Sequence, residues 1–210
     1  MKLFELLGII AALFQILGYY TYYKLSIRGH IRPNAASWLI WFYGNAIVCI
    51  SYLSIGTFSL ADLLPIVCAL SNIVIVVALW LKKFFGPIEP YEKTIITSDI
   101  IITILWLFLE YSSFGLSIEL FTGMSVALII HILLLTSAVI SFIPVIKDTL
   151  SDKCAEDKRP WVIWSSAYLV WIIAETLSGA GWNILYPALY LLLHSAVFII
   201  LILKKPKPYC

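Results

Sequence analysis

The sequence predicts an all-α membrane protein with seven transmembrane helices, built as two parallel three-helix-bundle repeats joined by a linker helix. The chain is 62% hydrophobic and only 12% charged over 210 residues. Its mean hydropathy is +0.98, and its first part repeats in its second. A soluble domain of this length carries about twice that charged fraction, so lipid is the solvent that suits the composition. In lipid the backbone has to satisfy its own hydrogen bonds, which leaves helices or a closed barrel. The apolar runs are long and do not alternate, which selects helices.

Seven apolar segments, each near the roughly 20 residues that cross a bilayer, fall at residues 3–23, 35–54, 60–81, 94–111, 120–146, 161–178 and 184–203. The fourth is short and carries Asp99 near its start, where it is read as a cap. Charge tests the count. With seven spans, the segments after the first, third and fifth helices share a side with the C-terminus. Those segments hold Lys24, Arg28, Arg32, Lys82, Lys83, Lys93, Lys147, Lys153, Lys158, Arg159, Lys204, Lys205 and Lys207, thirteen of the fourteen Lys and Arg. The positive-inside rule then expects the N-terminus outside and the C-terminus in the cytoplasm, in a plasma or bacterial inner membrane. The net charge of +2 is therefore a signal of topology and not of nucleic-acid binding. Cys49 and Cys68 fall inside spans and Cys154 and Cys210 on the cytoplasmic side, so no structural disulfide is expected.

Internal similarity orders the spans. Trp38-Leu-Ile-Trp41 in the second helix recurs as Trp161-Val-Ile-Trp164 in the sixth, and the register continues without a gap to Gly56 against Gly179. Leu64-Pro65 in the third helix matches Tyr186-Pro187 in the seventh, and both helices close on Lys-Lys, Lys82-Lys83 and Lys204-Lys205. More loosely, Leu17-Gly18-Tyr19 in the first helix sits opposite Ile143-Pro144-Val145 in the fifth. The fourth helix has no counterpart. The expected units are therefore a first bundle over 1–83, a linker with the fourth helix over 84–118, and a second bundle with a short cytoplasmic tail over 119–210. An unpaired helix between two three-helix units restores their parallel orientation, an arrangement used by transporters that bind solute near the midplane.

Amide and ionisable side chains inside lipid are costly enough to point to function. Asn72 and His194 each lie seven residues after the matched prolines, so a central pseudo-twofold would bring them face to face. Asn offers two donors and an acceptor and neutral His one of each, a set that suits a polyhydroxylated or amide-bearing ligand. Ordinary bonding to a neighbouring helix is the competing reading. Asn45 and Tyr168 occupy a second matched position near mid-span and are read as pocket lining or helix packing. His131 is unmatched and is read as a proton relay or a packed histidine, and proton coupling would run through it or His194. Glu175 and Asp62 lie near the outer ends of their spans and are read as rim residues within reach of solvent. Trp38, Trp41, Trp161 and Trp164 form two i, i+3 pairs, each on one helix face. They are read either as an interfacial aromatic belt or as the inner gate and aromatic wall of a solute path.

At these residues the chain resembles the SWEET sugar facilitators and their relatives, the PnuC vitamin transporters and the PQ-loop proteins. The resemblance covers the 3+1+3 plan of nearly the whole chain, with motifs only at scattered points. It implies that Asn72 corresponds to the asparagine lining the SWEET sugar pocket, with His194 standing where that family has a second asparagine. It also implies that Pro144 and Pro160 correspond to hinge prolines, with Gly18 and Ser37 at the first-half equivalents. Trp38-x-x-Trp41-x-x-x-Asn45 is spaced like the PnuC WxxW signature.

The expected function is a facilitator for a small polar, sugar-like solute, bound between the bundles by Asn72, His194, Asn45 and Tyr168 and carried by alternating access. A PnuC-like vitamin or nucleoside permease is the near alternative. A seven-helix PQ-loop-type receptor or a non-transporting membrane protein is the alternative of another class. No enzymatic role is expected, since His30, His131 and His194 are widely spaced with no H-x-x-x-H pair, and neither a metal nor a cofactor is implied. The expected partners are the solute and the lipid bilayer, with no nucleic acid; homo-oligomer formation stays open.

Overall fold

A computed structural model describes residues 1–54, 59–111, 126–151, 156–179 and 184–204. They form α1 (Leu3–Ile27), α2 (Ala35–Ser54), α3 (Leu63–Leu81), α4 (Pro90–Tyr111), α5 (Val126–Ser151), α6 (Lys158–Ser178) and α7 (Leu185–Leu203). A 3-10 turn at Leu60–Asp62 leads into α3. Gly56, Lys153, Cys154, Lys205, Lys207, Cys210 and positions 120–125 of the expected fifth helix lie outside the described residues. Several boundaries differ from expectation, α1 running on to Ile27 and α6 beginning at Lys158. The fourth helix begins at Pro90 because proline suits a first helical position, where no N–H is needed, and because Glu92 accepts from the Glu89 N–H at 2.7 Å. The fifth continues to Ser151 through Lys147 and Asp148.

The start signals are chemically explicit. The Asn34 Oδ1 accepts from the Ser37 N–H at 3.0 Å to cap α2, and the Asp157 Oδ1 accepts from the Arg159 N–H at 2.8 Å to cap α6. The Trp38–Trp161 register makes Asn34 and Asp157 equivalent positions, so the two caps repeat. Asp62 accepts from the Ser59 N–H, while Ser59 Oγ accepts from the Ala61 N–H. Asp62 is thus the carboxylate of a capping box. Hydroxyls within the helices, including Thr21, Ser26, Thr149, Ser165 and Thr176, donate to the carbonyl four residues back. Such bonds hide a polar group without a partner helix.

Four segments, Leu3–Ile27, Leu60–Leu81, Lys158–Ser178 and Leu185–Leu203, are long and apolar enough to cross a membrane. The exposed surface is apolar to match: Leu13, Val74, Trp80, Leu169 and Leu192 are more than half exposed. The polar groups Gln15, Asn72, Asp99, Glu175 and His194 are buried instead. The outward side of the fourth helix follows the same rule, with Ile100, Ile101, Ile104, Leu105 and Phe108 all exposed.

In each half the third helix packs on both others: α3 on α1 and α2, and α7 on α5 and α6. The halves meet along α1 with α6, the most extensive contact in the molecule, and along α2 with α5. The six helices thereby close a ring, and α4 packs on α5 and α2. Small residues make the α1–α6 seam. Gly8, Ala11, Ala12 and Gly18 share a buried face of α1, against Trp161, Trp164, Ala167, Tyr168, Trp171 and Ala174 of α6. A Cβ on Gly18 would lie 2.3 Å from the Trp164 Nε1. At the other end of α1, a Cβ on Gly8 would lie 2.4 Å from the Leu60 carbonyl oxygen and 2.5 Å from the Ala61 Cα.

Gly8→Ala is therefore expected to destabilise the protein by about 1–3 kcal/mol, since overpacking against backbone cannot relax by a rotamer change. Gly44, whose added Cβ meets nothing within 4 Å, gives the contrast: Gly44→Ala is expected to be neutral or stabilising by up to about 1 kcal/mol through helix propensity. Thermal unfolding of the two variants in detergent measures both.

Candidate functional site

The repeated tryptophans converge. Trp38, Trp41, Trp161 and Trp164 are all buried, and their rings join Tyr19, Tyr22, Phe142, Tyr168, Tyr190 and His194 in one continuous cluster. The Trp41 and Trp161 centroids are 6.2 Å apart and edge-on, Tyr19 and Trp164 5.3 Å, and Trp38 and Tyr22 4.9 Å. Most pairs are tilted or T-shaped, the geometry that ring quadrupoles favour. An interfacial belt would leave these rings at the rim. They are instead the inner seam between the two groups of three helices.

The cluster encloses a cavity lined by Gln15, Tyr19, Trp38, Trp41, Asn45, Phe142, Trp164, Tyr168, Tyr190 and His194. It offers about 20 Å³ to the centre of a water molecule, room for about one water. Two atoms of these lining residues are buried without a hydrogen-bond partner: the acceptor Gln15 Oε1 and the donor Trp164 Nε1, the latter lying against Gly18 of α1. The repeat explains what is unusual here. The Trp41 indole, equivalent to Trp164, donates to Ser141 Oγ at 2.9 Å, and Ser141 holds the position on α5 that Gln15 holds on α1. One half closes this pair and the other leaves both groups open. Buried donors and acceptors are rarely left so, and each costs about 1–3 kcal/mol unless something satisfies it.

Comparison with protein-family models, curated proteins and solved structures returns no match for this chain.

The predicted site residues are partly brought together. Asn45, Tyr168, His194, Trp38, Trp41 and Trp164 line the cavity, and Trp161 stands behind it against His194, with centroids 5.5 Å apart. The His194 Nδ1 is 2.7 Å from the Tyr190 carbonyl oxygen, so this nitrogen donates. Asn72 stands one layer back. Its Nδ2 donates to the Tyr19 hydroxyl at 2.7 Å and to the Cys68 carbonyl at 3.1 Å, and its Oδ1 is buried without a partner. Asn72 therefore orients a wall residue rather than forming the wall, because Tyr19 fills the space between. Pro144 lies inside α5, whereas Pro160 is in the first turn of α6, where a missing N–H breaks no helical bond. The side chain of His131 lies outside the described residues.

Two expectations are corrected. Glu175 is not a rim residue: it is 2% exposed and accepts from the Trp171 indole at 2.8 Å, since α6 carries it inward on the same face as Trp164 and Trp171. Asp99 does not cap the fourth helix. With α4 starting at Pro90, it lies in the helix interior, fully buried and bonded to the Tyr43 hydroxyl.

Gln15 and Tyr190 were missed. Gln15 had the same signal as Asn72, an amide in an apolar run. Tyr190 had none, being one tyrosine among twelve.

One end of the ring is tied by a polar knot. The Tyr22 hydroxyl donates to Glu156 Oε1 at 2.9 Å, and the Trp161 indole donates to Oε2 at 3.1 Å. The Trp38 indole donates to Tyr22 at 3.2 Å. Glu156, in the segment before α6, thus ties α1 and α6 to α2. Beside it, Asn34 Nδ2 donates to Glu92 at 2.6 Å and to Asp148 at 2.5 Å, and the Lys204 ammonium donates to the Thr149 carbonyl at 2.5 Å.

Burial pushes the Glu156 carboxyl up to about 8 from its ordinary 4.5, although the bonds from Tyr22 and Trp161 pull it down. Between those values the folded chain holds a proton that the unfolded chain releases. This stabilising contribution is full below pH 4.5, fades as pH rises and is gone above about 8. Glu156→Gln is expected to flatten that fall in thermal stability, followed by tryptophan fluorescence in detergent across the same pH range.

Proposed function

We propose that this chain is a seven-span membrane transporter for a small polar, sugar-like solute, with the aromatic cavity as its binding site. The observation that carries the reading is that two residues lining a cavity at the seam between the halves, Gln15 and Trp164, each hold a buried polar atom without a partner, Oε1 and Nε1. A hydroxyl can donate to the first and accept from the second. The indole and phenol faces around them suit the apolar faces of a sugar ring. His194 and Asn45 add polar atoms to the same wall.

Seven spans are supported beyond the four apolar segments. The fourth helix has an apolar outer face, and the fifth is 26 residues long, about 39 Å at the helical rise. Bonds among Tyr22, Asn34, Glu92, Asp148, Glu156 and Lys204 gather the ends of α1, α5 and α7 and the starts of α2, α4 and α6 at one end. Ten of the eleven Lys and Arg among the described residues, all but Lys2, fall toward that end, hence the cytoplasmic one. The packing order within each half, third helix against both others, and the matched caps support two parallel repeats. A cavity with room for about one water is occluded to a hexose. Solute would enter and leave as the α1–α6 and α2–α5 contacts open alternately toward the two sides.

Uptake into proteoliposomes tests the reading with hexoses, disaccharides, nucleosides and nicotinamide riboside as the panel. One class is expected to be taken up. Gln15→Ala and His194→Ala are each expected to lower that uptake about tenfold, equivalent to one hydrogen bond of about 1.4 kcal/mol, with elution from size exclusion unchanged. Asn72→Ala, acting through Tyr19, is expected to have the smaller effect. Transport of no class, or uptake indifferent to all three substitutions, would sink this site.

A further inference from the structure

Asp99 is the one buried carboxylate in the middle of α4, and nothing in the solute site uses it. It is fully buried, its Oδ2 accepts from the Tyr43 hydroxyl of α2, and its Oδ1 has no hydrogen-bond partner. Ser137 of α5 lies beside it, and among the described residues no charged side chain acts on it. Among the groups that pack around it, α2 contributes Tyr43 and no charged residue, and α5 contributes Ser137. Lys147 and Asp148 lie at the far end of α5, over and beside Tyr91. On its own helix the nearest charged residues are Glu92 and Lys93, about two turns away at its start.

An ionised carboxylate in such a place lacks both water and a counter-charge, a state that proteins avoid by neutralising the group. A hard metal cation would need about six oxygen ligands, and the described residues hold no group of metal-ligating side chains. A proton needs only the one free oxygen.

The surroundings connect this carboxylate to the solute site. A second cavity, also about 20 Å³ to a water centre, is lined by Gly44 and Ile47 of α2, Ile102, Thr103 and Trp106 of α4, Leu133 and Ser137 of α5, and Tyr190 of α7. Asp99, Ile102, Thr103 and Trp106 follow the i, i+3, i+4, i+7 spacing of one helix face. Trp106 Nε1 is a second buried polar atom without a partner there. Tyr190 is the shared wall, lining this cavity on one side and the aromatic cavity on the other.

We propose that Asp99 is a proton-binding site, set behind the aromatic cavity and coupled to it through Tyr190, that takes up and releases a proton on Oδ1 as solute is carried. The coupling rests on the transporter reading; the proton site does not. Tyr43 donates to the ionised form and Ser137 stands by to support it, so the charge has a holder when the proton leaves.

Two measurements separate these claims. Infrared difference spectroscopy of the whole protein in lipid, titrated with pH in a Glu156→Gln background, is expected to show a protonated-carboxyl stretching band that disappears as pH rises and is removed by adding Asp99→Asn. In Tyr43→Phe the band is expected to persist to higher pH, since the ionised form loses its donor; a merely structural tyrosine would leave the midpoint unchanged. Absence of the band, or a band unaltered at every pH, overturns the proton site. In proteoliposomes an imposed pH gradient is expected to drive solute accumulation in the wild type and not in Asp99→Asn. A titrating band with uptake indifferent to the gradient overturns the coupling. Absence of uptake by the wild type for every solute counts against the transporter reading, while the infrared result still decides the proton site.

Discussion

The indole of Trp164 lies against the backbone of Gly18 so closely that a single methyl group would not fit between them. This contact fixes the separation of α1 and α6, and much else follows. With α1 held that near, Tyr19 and Tyr22 reach into the indole cluster, Tyr22 meets Glu156, and Gln15 comes to the cavity wall. Close approach of a small-residue face is how helices associate in lipid, where apolar burial gives no net drive. Here the small residues sit on one helix and the bulk on the other, so the seam is asymmetric. The matching seam between α2 and α5 is looser in contact yet joined by the Trp41–Ser141 hydrogen bond. At mid-span one seam is held by shape and the other by a polar bond, while Glu156 adds bonds to the first only at its end.

That difference gives the cavity its character. Two related halves arranged about a common axis would close Trp41 on Ser141 and Trp164 on its counterpart alike. Replacing the serine by Gln15 sets a longer amide at that position, and neither its oxygen nor the Trp164 indole finds the other. This departure from symmetry falls at residues that line the cavity.

Much of this was legible in the sequence for identifiable reasons. Helix positions follow from apolar run length, which is a one-dimensional property. The convergence of Trp38, Trp41, Trp161 and Trp164 follows from a repeat that puts both pairs at one depth on two helices. The layer each side chain occupies is different in kind. Asn72 and His194 are equivalent by register, yet Tyr19 is large enough to cover Asn72, while the chain around His194 leaves its ring at the wall. Only packing distinguishes them. Asp99 was misread because its role hung on a helix start, and Pro90 moved that start by four residues. Glu175 was misread because distance from a helix end says nothing of which face a residue occupies.

Asn34 shows what a single amide can do beyond capping. Its oxygen holds the start of α2, and the two hydrogens of its nitrogen hold carboxylates on α4 and α5. Three stretches of chain that are far apart in sequence are pinned at one atom group. The start of one helix and the moorings of two others therefore share a fate, because truncating this one side chain removes all three bonds together.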